Sequence, residues 1–371
     1  MKVDGRALIL GVGRMGKAIA YAMSKMNYHV VGMDTNAEAA ENMPQCSEKS
    51  FLIVDGVEDI IKGLEGQAKF DVVISSLPYH QTEKVAFWCI DNGVRYCDLG
   101  GRVDVSRKIN DYAKEKATKP VFTDLGLAPG WVNILAEQGY KEIHAPVEKV
   151  KMMVGGIPAI PDFNPPLNYA ATWSLDGLIN EYKDDCEILF DEEVRVVKGM
   201  DGLEDVKFDM LHDFELEAFF TSGGASHSIP LMQRRGVKNC SYKTIRYKGH
   251  RDVVKMLIQD AELPRESLEK VFIDACPNKA GDIVLIKVQV SAGDLTWDKE
   301  ILVGYDTRFS AMQKATAFSI SSVADLMAQG KFDDRKVQNR SGDIKLPVVL
   351  NYSDVPCDEF NKNLKFLGLQ I

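Results

Sequence analysis

Gly11, Gly13 and Gly16 are spaced G-x-G-x-x-G, directly after the apolar run Ala7-Leu8-Ile9-Leu10. A strand, a tight turn and a helix at this point make a phosphate cradle. Gly11 permits the turn, Gly13 lets backbone approach a pyrophosphate, and Gly16 lets the helix pack on the strand. Arg14 and Met15 complete the loop, with Arg14 placed for the pyrophosphate. Asp34 stands 23 residues after Gly11, at the end of the apolar stretch 28–34. That is close to the ~20 residues expected for the acid that bonds the adenosine ribose hydroxyls. A carboxylate there accepts hydrogen bonds from a diol and repels a 2′-phosphate, and Thr35 and Asn36 follow where a cation would serve the phosphorylated cofactor. The expectation is NAD rather than NADP. Three such glycines alone also describe a tight turn in any α/β protein.

The elements that position this loop alternate as βαβ units require. Helices are expected over 37–42, 57–64, 85–92 and 105–117. Strands are expected at 51–55, 70–76, 94–98 and 120–124. These make a Rossmann-type, doubly wound parallel sheet, whose ligands lie beyond the carboxyl ends of the strands. Those ends supply Asp55, Ser76, Leu77 and Gly100 as further cofactor-binding candidates, and Tyr79, Asp98 and Asp124 as candidates for chemistry. From residue 147 onward strand signals dominate, at 150–154, 193–197, 214–220, 242–247, 283–291 and 299–305. The alternation in 282–290 suits an antiparallel sheet with one covered face. The second half therefore reads as an α+β domain with a mainly antiparallel sheet, the last two strands joined through Ala292-Gly293-Asp294. A helix is expected over 310–329, and a turn-rich break at 155–166.

The 371 residues suit two domains. A net charge of −9 and a pI near 5.3 argue against a nucleic-acid partner. No apolar run approaches the ~18 residues of a membrane span. The first strand begins almost at once, leaving no room for a signal peptide, so a cytoplasmic protein is expected. The seven cysteines (46, 89, 97, 186, 240, 276 and 357) include no C-x-x-C pair, and the six histidines show no metal spacing. Reduced thiols and no metal are expected.

Several blocks then coincide with a known family. Residues 124–133 read D-L-G-L-A-P-G-W-V-N, followed by Gly155-Gly156-Ile157-Pro158 and by W-S-L-D-G-L at 173–178 with Glu181-Tyr182. Further on stand E-A-F-F-T-S-G-G at 217–224 and K-T-I-R-Y-K-G-H at 243–250. In this order they resemble the saccharopine dehydrogenase-like family. Leu77-Pro78-Tyr79, Asp98-Leu99-Gly100-Gly101 and the short central domain resemble its lysine 6-dehydrogenases most. The resemblance implies a discontinuous first domain (1–127, with a return at about 306–371), an α+β substrate and dimerisation domain (128–305), and homodimers built through the sheet domain. The chain departs from the family at Ala225-Ser226-His227-Ser228, where a small hydroxyl residue is expected in place of His227. The segment after Pro347 carries no recognised motif.

Oxidising an amine with NAD requires that the amine lose its proton, that its carbon face the nicotinamide, and that water hydrolyse the iminium. A free amino acid also needs its carboxylate held, which Arg does with a two-pronged fork. Arg246 is assigned to that carboxylate, against the plainer alternative of a surface salt bridge. Thr221, Ser222, Gly223 and Gly224 offer hydroxyls and open backbone N–H groups to the substrate. Asp98 or Asp124 is suited to orient the substrate ammonium or to take its proton; a helix cap or turn acid is the alternative for each. Tyr79 is placed to wall the reactive carbon, and His80 and His250 are possible proton carriers, with His250 grouped with the substrate-binding residues. The small-molecule substrate expected is lysine, and the product an aldehyde that closes to a cyclic imine. Saccharopine, with three carboxylates, and a non-catalytic NAD sensor are the alternatives.

Overall fold

The computed structural model describes residues 5–43, 50–65, 69–161, 164, 166–277, 281–333, 336–339, 342–345 and 348–371. Cys46 and part of the expected break (162, 163 and 165) lie outside them. The chain divides into two compact units, Met1–Gly126 with Thr316–Leu369, and Leu127–Ala315 with Gln370–Ile371.

The first unit is built on strands β1 (Gly5–Leu10), β2 (Tyr28–Asp34), β3 (Ser50–Ile53), β4 (Val72–Ser75), β5 (Tyr96–Asp98) and β6 (Val121–Phe122). They form one parallel sheet in the order β3-β2-β1-β4-β5-β6. Continuous apolar runs in β1 and β4 follow from this, because a parallel sheet is covered on both faces. Helices α1 (Arg14–Lys25), α2 (Val57–Glu65), α3 (Tyr79–Asp91) and α4 (Val103–Lys116) make the crossovers. Small residues on α1, among them Gly16, Ala18, Ala20 and Ala22, are its buried face and permit close packing. The segment Ala37–Asn42 is a 3₁₀ turn rather than the expected α-helix, started by Asn36, whose side chain accepts the Glu38 N–H. Six residues, mostly Ala and Glu, offer too little apolar surface to hold a longer helix.

The second unit contains α5 (Trp131–Glu142), β7 (Lys149–Pro158), α6 (Leu175–Lys183), β8 (Cys186–Phe190), β9 (Glu193–Val197), β10 (Glu204–Val206) and β11 (Leu216–Phe220). After these come α7 (Ser228–Arg234), β12 (Asn239–Tyr247), α8 (His250–Lys255), α9 (Arg265–Ala275), β13 (Asp282–Ala292) and β14 (Leu295–Gly304). Its main sheet runs β10-β11-β12-β7-β13-β14, with β8 paired to β12 and β9. All pairings are antiparallel except β7 with β12. That parallel pair is not legible in the alternation. Gly155 and Gly156 do not open a break but lie inside β7, where Gly155 lets the Ile245 backbone approach. Helix α10 (Ala311–Ala328) begins in this unit, where Asp282 accepts the Ala311 and Met312 N–H groups at 2.7 and 2.9 Å.

The rest of α10 belongs to the first unit, where Asp325 Oδ1 accepts the Tyr28 hydroxyl at 2.9 Å. The chain after residue 347 also completes this unit. Val349 bridges Val121 in parallel, Leu350 N–H donates to the Val121 carbonyl at 2.9 Å, and α11 (Cys357–Leu367) follows a short hairpin, β15 (Lys336–Asn339) with β16 (Gly342–Lys345), and this bridge. Among the described residues no helix is long and apolar enough to cross a membrane.

Candidate active site

In the first unit the glycine loop is held by its neighbours before any ligand is considered. Gly11 adopts φ +78°, its N–H donates to the Met33 carbonyl at 2.8 Å, and its own carbonyl accepts Ser76 Oγ at 2.8 Å. A Cβ on Gly16 would collide with that same carbonyl, so the third glycine is required by packing. A Cβ on Gly13 would meet nothing within 4 Å, so the backbone there is open to a ligand at the start of α1. Asp34 ends β2 with Oδ2 accepting the Val12 N–H at 2.6 Å and Oδ1 accepting the Asn36 N–H at 2.9 Å. Both bonds aim a rigid carboxylate beside the loop. The open glycine, the helix start without a side-chain cap at Gly13 and this acid fit a dinucleotide, which Gly11, Gly13, Arg14, Met15, Gly16 and Asp34 would hold. Asp55 is exposed beyond β3, the outermost strand, and its N–H donates to Asp59 Oδ2 at 3.2 Å.

Beyond β4 and β5 a narrow groove is lined by Tyr79, Asp98, Gly100, Arg102 and Ser106, among others. Three of the expected residues thus meet there. Tyr79 opens α3 and lies under the Arg102 guanidinium, 5.7 Å from the ring centre. Asp98 is buried, with Oδ1 accepting the Gly100 and Asp124 N–H groups at 2.9 and 3.0 Å. Among the described residues its Oδ2 has no hydrogen-bond partner within normal geometry, and the buried Tyr96 hydroxyl stands near it. Burial, and then the charge of Asp124, push the Asp98 carboxyl up to about 7. Asp124 is buried too, at φ +63°, and its Oδ1 accepts Ser106 Oγ at 2.6 Å. Gly100, at φ +76°, has no room for a Cβ because Asp124 Oδ1 occupies the place. Leu77 precedes this helix start and is half-buried.

In the second unit Arg246 sits near the end of β12 and is 3% exposed. Its guanidinium lies over the Tyr169 ring at 4.7 Å and near that of Tyr182 at 5.7 Å. Nε donates to the Tyr182 hydroxyl at 2.9 Å and Nη1 to the Ile245 carbonyl at 2.9 Å. Two of the five N–H groups are thereby used, leaving the Nη1–Nη2 edge able to fork a carboxylate. The Tyr182 hydroxyl, having accepted from Arg246, donates to His250 Nε2 at 3.0 Å, and His250 Nδ1–H donates to the Leu167 carbonyl at 2.7 Å. This chain fixes the tautomer and keeps the ring neutral; burial, and then the Arg246 charge, push His250 down to about 3. His250 therefore braces Tyr182, which in turn holds Arg246, and both of its ring nitrogens are engaged.

The T-S-G-G loop divides likewise. Thr221 is buried against Thr244, hydroxyl to hydroxyl at 2.7 Å, and Gly224 backs onto the Tyr242 ring. Both shape the loop. Ser222 and Gly223 are half-buried, Gly223 at φ +88° with open space above its Cα. Ser222 N–H donates to the Glu181 carbonyl at 2.9 Å.

Three residues are visible in the sequence only as motif letters. Asn133 donates to the Gly224 and Ala225 carbonyls and to Ser228 Oγ (3.3, 3.1 and 2.9 Å), pinning the far end of the loop. Glu217 accepts the Gly249 and Arg251 N–H groups at 3.0 and 2.7 Å and so starts α8, which carries His250. Glu181 is half-buried and, among the described residues, has no hydrogen bond on its carboxylate; burial, opposed by Arg246, pushes it up to about 7. A glutamate next to a tyrosine on an amphipathic helix gives no warning of this. Among the described residues no cluster of acids, histidines and cysteines could hold a metal.

The chain matches known proteins along nearly its whole length. The family model for the saccharopine dehydrogenase NADP binding domain matches residues 7–122, and that for the saccharopine dehydrogenase C-terminal domain matches residues 126–347. A saccharopine dehydrogenase [NADP(+), L-glutamate-forming] from Pyricularia oryzae is 25% identical over 372 residues, covering 97% of this chain and 76% of that protein. The mitochondrial alpha-aminoadipic semialdehyde synthase of Rattus norvegicus is 25% identical over 288 residues, covering 75% of this chain. The chain matches only 30% of the length of that relative. Apo saccharopine dehydrogenase (L-Glu forming) from Saccharomyces cerevisiae shares the fold with a TM-score of 0.67 at 15% identity, covering 97% of this chain and 96% of that one. A homospermidine synthase from Legionella pneumophila, solved in complex with NAD, has a TM-score of 0.71 at 12% identity, covering 98% and 89%. With both family models covering their successive parts, this chain belongs to the saccharopine dehydrogenase family.

Proposed function

We propose that the protein is an NAD-dependent amino acid dehydrogenase of the lysine 6-dehydrogenase type. It would oxidise the side-chain amine of L-lysine to 2-aminoadipate 6-semialdehyde, which closes to piperideine-6-carboxylate, with release of ammonia. The observation that carries this reading is the single carboxylate clamp. Among the described residues Arg246 is the one buried guanidinium with an open donor edge, and its neighbours are engaged elsewhere. Arg235 is tied to both Glu137 oxygens at 2.9 Å, and Arg251 to the Met200 carbonyl and Asp252. One carboxylate is therefore provided for, whereas saccharopine carries three.

When bound, NAD would accept the two electrons and the hydrogen lost by the amine carbon. The chain's own residues hold the α-carboxylate at Arg246 and offer Asp98 as a carboxyl able to take the ammonium proton. Water then adds to the resulting imine carbon and ammonia leaves, so that lysine, NAD and water give aldehyde, ammonium, NADH and one released proton. Turnover is expected to rise toward alkaline pH, because the amine reacts neutral and a lysine amine ordinarily titrates at about 10.4.

The test is lysine labelled with nitrogen-15 at the side-chain amine, incubated with NAD. Labelled ammonium appearing in step with NADH is the expected result, and label kept in the amino acid product overturns it. Glutamate released from saccharopine alone would favour the second reading, a saccharopine dehydrogenase, which the names of the relatives support. A protein that binds NAD without catalysis has no use for the Arg246 clamp.

The preference for NAD rests on Asp34. Asp34→Ser removes the ribose acceptor and the repulsion of a 2′-phosphate. NAD use should weaken and NADP use improve, each by roughly 1–2 kcal/mol in kcat/KM, the scale of a charged hydrogen bond. A wild type already favouring NADP overturns this assignment. A cytoplasmic homodimer, paired through the second unit, belongs to the same proposal.

A further inference from the structure

We propose that Glu181 and Arg246 form a two-ended clamp for the zwitterionic head of an α-amino acid, with Arg246 taking the α-carboxylate and Glu181 the α-ammonium. The inference rests on the reading of an amino acid substrate and adds which part of it is recognised.

The two charges occupy one aromatic environment. Glu181 precedes Tyr182 on α6, Tyr182 is bonded to Arg246, and Arg246 lies over Tyr169. Among the described residues Arg246 is the one charge that acts on the Glu181 carboxylate, and Glu181 in turn is felt by Tyr169, Tyr182 and Tyr242. Yet among the described residues neither charge makes an ion pair, and the Glu181 carboxylate and Arg246 Nη2 make no hydrogen bond. Arg246 is buried and Glu181 half-buried, and opposite charges so placed without touching forgo a contact that direct pairing would make. The Tyr182 bond to Nε and the Ile245 bond to Nη1 prevent this by fixing the guanidinium. The bond from Ser222 N–H to the Glu181 main-chain carbonyl ties this helix to the T-S-G-G loop. A molecule carrying a carboxylate and an ammonium on adjacent carbons supplies both missing partners at once. A diamine lacks the first group and an ω-amino acid the second, so the clamp selects α-amino acids whatever their side chain.

Binding to the intact protein with NAD present tests the clamp apart from turnover. L-norleucine has the head and no side-chain amine, 6-aminohexanoate has a carboxylate and a distal amine but no α-ammonium, and cadaverine has no carboxylate. Calorimetry should show norleucine binding and competing with lysine, and 6-aminohexanoate binding about 10- to 100-fold more weakly than lysine, the range of one charge-assisted hydrogen bond. Glu181→Gln should erase most of the difference between lysine and 6-aminohexanoate. Equal affinity of wild type for these two overturns the clamp, even if lysine is oxidised. Norleucine binding without lysine oxidation would retain the clamp and overturn the assigned reaction instead.

Discussion

Arg246→Ala is expected to lower kcat/KM for the amino acid about 100-fold or more, through KM, and to leave the dissociation constant of NAD unchanged. Removing one partner of a buried charge-assisted contact costs roughly 2–5 kcal/mol. Here the cost is compounded, because the Tyr182 hydroxyl also loses the donor that sets its direction. Arg246→Lys separates the contributions. A lysine keeps the charge and the stacking over Tyr169, but one ammonium cannot bond Tyr182 and fork a carboxylate as the planar guanidinium does. Its kcat/KM should fall between wild type and the alanine variant, with the loss again in KM. The nucleotide loop lies in the other compact unit, so NAD binding serves as the internal control for folding. Steady-state kinetics unchanged in a folded Arg246→Ala variant would remove Arg246 from the site.

Legibility in the sequence follows the range of the forces involved. The first unit is readable because each feature is local. Gly11, Gly13 and Gly16 impose a turn, the apolar runs impose buried parallel strands, and Asp34 ends its strand by position alone. In the second unit the strands are legible as alternation, but the parallel pairing of β7 with β12 arises from contacts between segments far apart in sequence. The segment after residue 347 carries no motif because its work is packing. Tyr352 packs at a tilt against Phe122 and donates to the Asp124 carbonyl, contacts that no periodicity announces. At the site, residue types identify Arg246 as a cation able to hold a carboxylate. They do not separate a histidine that reaches a ligand from one bonded between Tyr182 and Leu167, which is where His250 lies. Glu181 escapes notice for the converse reason: its character comes from the absence of a partner, which only three-dimensional placement reveals.

Asp98→Asn is expected to make the protein more stable than wild type at pH 8, and to abolish much of the change in stability between pH 5 and pH 8. The folded protein holds the Asp98 proton up to about pH 7, whereas an unfolded chain releases it near the ordinary aspartate value of about 3.9. Across that window the native state binds more protons than the unfolded state, so stability falls as pH rises. The contribution is complete below about pH 4 and lost above pH 7. Three pH units correspond to about 4 kcal/mol. Asparagine is the fitting probe, because its Oδ1 still accepts the Gly100 and Asp124 N–H groups. Its amide nitrogen would face the Tyr96 hydroxyl, where the carboxylate leaves Oδ2 unbonded. Melting curves of both proteins at pH 5 and pH 8, at one scan rate, read the effect of Asp98 together with its coupling to Asp124, since the carboxylates remote from this pair titrate alike in the two. Parallel curves would show that Asp98 does not titrate in this range. The same variant tests chemistry. A carboxyl that titrates near 7 is poised to accept a proton at neutral pH, so the predicted gain in stability should come with a fall in kcat. The acidic limb of the kcat profile near pH 7 should disappear with it. Unchanged kcat in the more stable variant would leave Asp98 as the carboxyl that shapes the Gly100 turn and transfer the proton to another group.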